Sequence, residues 1–137
     1  MYEFHTRRKI EFSDTDLGGV VHFSRFFIFM ETAEDEFLRG LGGSFWMEDE
    51  DTILGWPKVE VSCNYLQSAR YGDLLDIHLR VARKGTKSIT YEFTFRRGDE
   101  ELAHGRTTSV CCAAGPDGFQ AIPIPEELDV QIQQAPD

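Results

Sequence analysis

The spacing of apolar residues changes once along this chain, and the change limits the folds available to it. From Phe23 onward, apolar side chains recur at the three- and four-residue spacing of one helix face: Phe26, Met30, Ala33, Phe37 and Leu41. The glycine-rich stretch 40–43 ends this pattern. After Pro57 the spacing becomes two, which is typical of strands with one buried face. The chain therefore predicts one long helix followed by a sheet.

Alternating residues define the strands of the second half. Four runs show the pattern and are separated by turn-forming residues: 59–66, 75–82, 89–96 and 102–114. Such runs, joined by short connections that contain turn residues, predict an antiparallel meander, because parallel neighbours need crossovers of a dozen or more residues. A short edge strand is expected within Phe119–Ile124.

The rest of the chain is less regular. Residues 2–12 have the composition of a first strand, whereas residues 44–56 fit no single period and predict an irregular loop. Ten-residue strands span about 33 Å, which exceeds the ~27 Å of an 18-residue helix. We therefore expect an α+β fold in which a curved antiparallel sheet of five to six strands wraps around the helix.

Size and charge narrow the possible functions. A chain of 137 residues predicts a single domain, 1–137, whose polar C-terminal tail starts at about residue 126. The net charge of −10 opposes contact with nucleic acid or an anionic membrane surface. No apolar run reaches the ~18 residues of a membrane span. The odd number of cysteines, Cys63, Cys111 and Cys112, favours reduced thiols and a cytoplasmic location.

Two acids precede the helix in the segment FSDTDLGGVVHFSRFF, residues 12–27. Asp14 and Asp16 are followed closely by glycines, valines and phenylalanines, and Ser24 is placed to cap the first helical turn. An ordinary polar turn explains the acids but not the apolar residues beside them. Free N–H groups and the positive end of a helix stabilise negative charge, so this segment also suits chemistry on an anion.

These residues resemble a known family. The segment EFSDTDLGGVVHFSRFF followed by ETAEDEFL matches the pattern Asp-x-Asp-x-x-Gly-Val/Ile-Val and aromatic-rich helix of the 4-hydroxybenzoyl-CoA thioesterase family. The resemblance extends over roughly residues 6–124. It implies the hotdog fold and hydrolysis of an acyl-CoA or aryl-CoA thioester to the free acid and coenzyme A. It also implies a homo-oligomer, a dimer or homotetramer with shared active sites, and no cofactor, because coenzyme A is part of the substrate.

The same resemblance implies roles for individual residues. Asp16 would be the catalytic carboxylate and Asp14 a supporting residue, while the peptide N–H of Phe23 would polarise the thioester oxygen. Gly19, with its neighbouring glycine, would leave room for the acyl chain. Glu31 would line the substrate pocket, although a charged helix side explains it equally well. Glu34 fits either a charged helix side or the same pocket, and the charged side is the more common role.

His22 leaves a second reaction open. It is a candidate substrate-binding residue, and beside Asp16 it would suit hydration of an enoyl-CoA on the same fold, although a packed or solvated side chain is the more common role. A noncatalytic acyl-CoA binding module is a further alternative, and a carrier-protein thioester is a further substrate.

Basic and metal-ligating residues complete the candidates. Arg83, Lys84 and Lys87 form the densest basic run near a turn, where the resemblance implies contacts to the phosphates of coenzyme A, although a solvated turn explains the run equally well. The histidines have no short ligand spacing, so no metal site is expected: His5, His22, His78 and His104.

Overall fold

One long helix, α1 (Arg25–Gly40), lies against a five-stranded antiparallel sheet in the computed structural model, which describes residues 1–43, 46–49 and 52–137. The strands of this main sheet are β1 (Glu3–Lys9), β4 (Lys58–Tyr65), β5 (Leu74–Lys84), β6 (Ser88–Arg97) and β7 (Glu100–Val110). Their order is β1-β5-β6-β7-β4. The predicted α+β arrangement of a helix and a curved antiparallel sheet is confirmed.

A second sheet was not expected. It has the order β2-β3-β8-β9 and consists of β2 (Trp46–Asp49), β3 (Thr52–Gly55), β8 (Cys112–Gly115) and β9 (Gly118–Ala121). The prediction of an irregular loop at 44–56 is therefore wrong where β2 and β3 form. Strands of four residues are too short to show a period in the sequence. Residues 44, 45, 50 and 51 lie outside the described part of the chain. The predicted five to six strands fit the main sheet only, whereas the predicted edge strand corresponds to β9.

The apolar face of α1 is buried against the sheet. Its buried apolar residues are Phe26, Phe29, Met30, Ala33, Phe37 and Leu38. The Phe26 ring meets the Phe95 ring edge-on, with centroids 5.1 Å apart. A Cβ added at Gly105 of β7 would collide with the end of the buried Met30 side chain, so this glycine lets the helix approach the sheet closely. No helix in the described ranges has the length and apolarity needed to cross a membrane.

The start of α1 differs from its prediction. The helix begins at Arg25, so Phe23 lies just before it rather than in its first turn. Ser24 does occupy the N-cap position, but its hydroxyl makes no capping hydrogen bond and instead lies 2.8 Å from Nδ1 of His22.

The C-terminal segment packs against the body of the protein. Leu128 of the short helix α2 (Glu126–Asp129) is buried, as are Ile132 and Ala135 after it, and the Ala135 N–H donates to the carbonyl oxygen of Val81 over 2.8 Å. The predicted polar tail thus has a buried apolar face, which its many polar residues concealed in the sequence.

Candidate active site

Asp16 lies in a tight turn that presents its carboxylate to solvent. The Asp16 N–H donates to the Val20 carbonyl over 2.9 Å, and Gly19 closes the turn with a φ of 77° that suits glycine. Oδ1 of Asp16 accepts the Gly18 N–H over 2.8 Å, and a Cβ at Gly18 would lie 3.2 Å from that oxygen. No described residue donates to Oδ2, so one carboxylate oxygen remains available for chemistry.

Asp14 has the opposite environment, two residues earlier. Its side chain is buried, accepts the Glu11 N–H over 2.9 Å and lies 3.2 Å from Nε of Arg25. Its carbonyl oxygen accepts the His22 N–H over 2.9 Å. Asp14 therefore joins the loop to the start of α1, and its supporting role in the reaction stays a prediction.

A cleft of about 350 Å³ opens beside Asp16. Residues from the loop, the start of α1 and the β4–β5 connection line it: Asp16, Val20, Val21, Phe23, Phe26, Tyr65, Leu66, Gln67, Ser68 and Ala69. Most of these side chains are apolar, so Asp16, the only carboxylate among the described lining residues, faces a largely apolar space.

The peptide groups before α1 meet the cleft at Phe23. The Phe23 N–H has no acceptor among the described residues, while its carbonyl oxygen accepts the Tyr65 hydroxyl over 2.8 Å. Burial, and next the neighbouring Cys63, raise the pKa of Tyr65 to about 12, so the phenol stays protonated and can donate. A free N–H at the positive end of a helix is suited to stabilising an oxyanion.

The β4–β5 connection forms the opposite wall. It is fixed to the loop by the Val21 N–H, which donates to the Ala69 carbonyl over 2.8 Å. Arg97 donates to the Ser68 carbonyl over 3.2 Å and to Asp73 over 2.7 Å. Burial raises the pKa of Asp73, but the Arg70 N–H and the Arg97 guanidinium outweigh it and lower that pKa overall.

Sequence reasoning missed the polar residues of this wall. Tyr65 fits an ordinary strand alternation, and Gln67 and Ser68 fit an ordinary turn, more than 40 residues after Asp16. In the sequence, only the polar pair directly after the strand pointed to this wall. The pair indicates a site only once the strand is known to end beside the start of α1.

Three predicted substrate-binding residues do not line the cleft. Gly19 shapes the turn, Glu31 lies on the exposed side of α1, and the His22 ring stacks on Phe23 with centroids 4.5 Å apart. Their contact with substrate stays a prediction.

The predicted phosphate-binding residues have different environments. Nζ of Lys84 lies 2.8 Å from Oδ1 of Asp129 and donates to the carbonyl oxygens of Asp129 and Ile132. Its ammonium is thus used to hold the C-terminal segment. Arg83 and Lys87 are exposed near the β5–β6 turn, and we keep the phosphate prediction for these two residues.

Glu34 is completely buried, so its interpretation as a charged helix side is wrong. Its Oε2 lies 2.6 Å from Nζ of Lys58, and its Oε1 accepts the Ser109 hydroxyl over 2.7 Å. Burial raises the pKa of Glu34, although Lys58 and Ser109 act in the opposite direction. Helix periodicity places Glu34 beside Ala33 but does not reveal that strands supply a lysine and a serine to pair with it.

Comparison of the chain with known protein families shows the family to which it belongs. The family model of the thioesterase superfamily matches residues 18–104, more than half of the chain, and the chain belongs to that superfamily. The expected hotdog fold and the expected class of activity, hydrolysis of an acyl-CoA thioester, are confirmed.

Individual relatives are similar over nearly their whole length. A 1,4-dihydroxy-2-naphthoyl-CoA hydrolase of Synechococcus elongatus is 26% identical over 136 residues, which cover 97% of each chain. The solved structure of a 1,4-dihydroxy-2-naphthoyl-CoA thioesterase from Synechocystis superposes with a TM-score of 0.81 at 23% identity, covering 95% of each chain. A mutant 4-hydroxybenzoyl-CoA thioesterase complexed with 4-hydroxybenzoyl-CoA gives a TM-score of 0.81 at 18% identity, covering 97% of this chain and 100% of the other.

Proposed function

We propose that the protein hydrolyses an aryl-CoA thioester in the cleft beside Asp16 and that Asp16 is the catalytic carboxylate. The observation that supports this proposal is the position of Asp16. Among the described residues it is the one carboxylate lining an otherwise mainly apolar cleft at the start of α1, and none of their cations pairs with it.

The reaction needs a carboxylate on one side of the thioester carbonyl and a hydrogen-bond donor to its oxygen on the other. Asp16 either attacks the carbonyl carbon, forming a mixed anhydride as the C–S bond breaks and coenzyme A leaves as thiolate, or removes a proton from a water that attacks instead. In the first route, water then hydrolyses the anhydride and restores the carboxylate. In both routes the carbonyl oxygen becomes negative, and the Phe23 N–H is the donor proposed to stabilise it.

The lining of the cleft favours an aromatic acyl group. The rings of Phe23, Phe26 and Tyr65 offer faces and edges for packing against a planar ring. Gln67 and Ser68 add hydrogen-bonding groups that suit a ring hydroxyl. The relatives named above act on hydroxylated aromatic CoA esters, and hydroxyaryl-CoA esters are therefore the first substrates to test.

A second copy of the chain is part of this proposal. β4 is an edge strand of the main sheet and exposes apolar side chains at Val59, Val61 and Tyr65, with Leu66 exposed directly after it. Open edges of this kind pair readily with another strand. We expect a homodimer through β4, beside the cleft, or a tetramer built from two such dimers. Light scattering at micromolar concentration tests this, and an active monomer would contradict it. The cytoplasmic location stays a prediction.

The experiment compares substrates and one variant. Release of coenzyme A thiol is followed for hydroxybenzoyl-, hydroxynaphthoyl-, medium-chain and long-chain CoA esters. Asp16→Asn should lower kcat on a responsive ester about a hundredfold or more, with substrate binding retained, because an amide neither attacks a carbonyl nor accepts a proton from water.

The control is Asp117→Asn, an exposed aspartate between β8 and β9 that does not line the cleft. It should leave kcat unchanged. An Asp16→Asn protein within tenfold of wild type would contradict the proposal. Conversion of an enoyl-CoA without thiol release would favour the hydratase alternative, and tight binding without turnover of any ester would favour a binding module.

A further inference from the structure

Two histidines far apart in the sequence are neighbours on the outer face of the main sheet. β1 pairs with β5 so that His5 lies directly opposite His78, between the pairs Glu3–Arg80 and Arg7–Asp76. Side chains opposite each other on antiparallel strands have Cβ atoms about 4.5–5.5 Å apart. The two imidazole rings stack with centroids 4.3 Å apart and planes inclined by 7°.

A glutamate completes this cluster. Oε2 of Glu3 lies 3.2 Å from Nε2 of His78. One potential ligand atom from each of Glu3, His5 and His78 lies within 4.8 Å of the other two. The fold therefore brings two imidazole nitrogens and one carboxylate oxygen together at a fixed strand register.

The neighbouring cations have other partners. Arg80, directly opposite Glu3, donates to the carbonyl oxygen of Pro136. Nε of Arg7 lies 2.8 Å from Oδ1 of Asp76. Neither guanidinium pairs with Glu3 among the described ion pairs, and the Glu3 carboxylate lies beside His78 instead.

We propose that Glu3, His5 and His78 bind a divalent transition-metal ion of the zinc class. Two imidazoles and one carboxylate form a ligand set that such ions accept, whereas Mg²⁺ and Ca²⁺ prefer oxygen ligands alone. A tetrahedral ion holds its ligand atoms about 3.3 Å apart, a distance that follows from metal–ligand bonds of about 2 Å. The three ligand atoms lie within 4.8 Å of one another, so binding one ion requires the side chains to rotate from their stacked positions, for which their exposure leaves room. The remaining coordination position is left for water.

The ion would fasten an edge of the sheet. β1 is an edge strand, and Glu3 and His5 belong to it, whereas His78 belongs to the inner strand β5. A metal that binds the folded chain only stabilises it, because unfolding separates the ligands. No metal site was predicted from the sequence, because 72 residues separate His5 from His78 and only the strand register brings them together.

The test uses the full-length protein, free of any affinity tag and treated with chelator. Titration with ZnCl₂ in a calorimeter should show one ion per chain, and saturating Zn²⁺ should raise Tm by about 5 °C or more. Co²⁺ should give the visible absorption of a site with nitrogen ligands. Absence of Zn²⁺ binding at micromolar to millimolar concentrations would overturn the proposal.

Variants locate the ion. His5→Gln and His78→Gln should each weaken Zn²⁺ binding about tenfold or more, and Glu3→Gln should weaken it less, with the metal-free Tm unchanged. His104→Gln is the matched control, because Nε2 of His104 also lies near a carboxylate, 2.9 Å from Oε2 of Glu101, but has no second histidine opposite it. Wild-type affinity in both His5→Gln and His78→Gln, or an equal loss in His104→Gln, would show that the ion binds elsewhere.

Discussion

The cleft before α1 and the interior behind it both contain carboxylates, and the two regions treat them in opposite ways. Asp16 is exposed, and its side chain accepts one backbone N–H from the described residues. Asp14 and Glu34 are buried, and each lies within 3.2 Å of a basic nitrogen. A buried carboxylate needs such a partner, because losing its water without one is unfavourable by several kcal/mol.

This difference in environment separates the carboxylate proposed for catalysis from the two carboxylates that stabilise the fold. A carboxylate already held by a cation is a weaker nucleophile and base, whereas Asp16 keeps one oxygen without a donor from the described residues. Conversely, removing the charge of Asp16 leaves no buried cation unpaired. The comparison therefore predicts that variants in the interior affect unfolding first, and variants in the cleft affect turnover first.

Asp14→Asn should give the largest change in stability. The amide cannot neutralise Arg25, whose Nε lies 3.2 Å from Oδ1, or accept the Glu11 N–H as strongly. We expect the free energy of unfolding to fall by about 2–3 kcal/mol. Urea denaturation measures this, with Asp16→Asn as the matched control expected to stay within about 0.5 kcal/mol of wild type. Equal losses in the two variants would remove the distinction between the two regions.

The features that could be predicted from the sequence are those determined by residues close together in the chain. Helix periodicity located α1 to within two residues at its start, and strand alternation located β4, β5 and β6. The predicted run 102–114 is wrong at its end, because β7 stops at Val110 and β8 of the second sheet follows. The short strands β2 and β3 escaped because four residues show no period. Tyr65 and the partners of Glu34 escaped because they come from strands far away in sequence, and a helix pattern records which face is buried, not what faces it.

Glu34 should make stability depend on pH. Burial raises the pKa of Glu34 above its ordinary value of 4.5, so the folded chain holds this proton more tightly than the unfolded chain. The resulting stabilisation is fully present below pH 4.5 and is lost as the pH rises through the folded pKa. Relative to Glu34→Gln, wild type should therefore lose free energy of unfolding with increasing pH above 4.5.

Denaturation at a series of pH values measures this difference. Glu127→Gln is the control, because Glu127 is exposed on α2 and should follow the wild-type profile at every pH. A wild-type advantage over Glu34→Gln that grows with pH would mean that Lys58 outweighs burial and lowers the pKa of Glu34.

Tyr65→Phe should affect the cleft more than the fold. The substitution removes the hydroxyl that donates to the Phe23 carbonyl over 2.8 Å but keeps the ring in the cleft wall. We expect kcat to fall about three- to tenfold with little change in KM, because a less restrained Phe23 peptide stabilises the oxyanion less well. Steady-state kinetics measure this effect. Tyr71→Phe, which alters an exposed tyrosine outside the cleft lining, should leave kcat unchanged, and an equal loss in both variants would contradict a positioning role for Tyr65.

Lys84 and Lys87 provide the smallest and most local comparison between a structural and a functional charge. Lys84 holds Asp129 and the Ile132 carbonyl, so Lys84→Ala should lower the free energy of unfolding by about 1 kcal/mol. Lys87 is exposed, and Lys87→Ala should leave stability unchanged but raise KM for CoA esters about two- to threefold at low salt, since a remote phosphate contact adds uniform binding. The KM effect should shrink as salt screens the charge. If Lys87→Ala instead keeps the wild-type KM at low salt while Lys84→Ala raises it, the phosphates bind on the side of the turn that α2 covers, and the assignment of Lys84 to the fold alone is wrong.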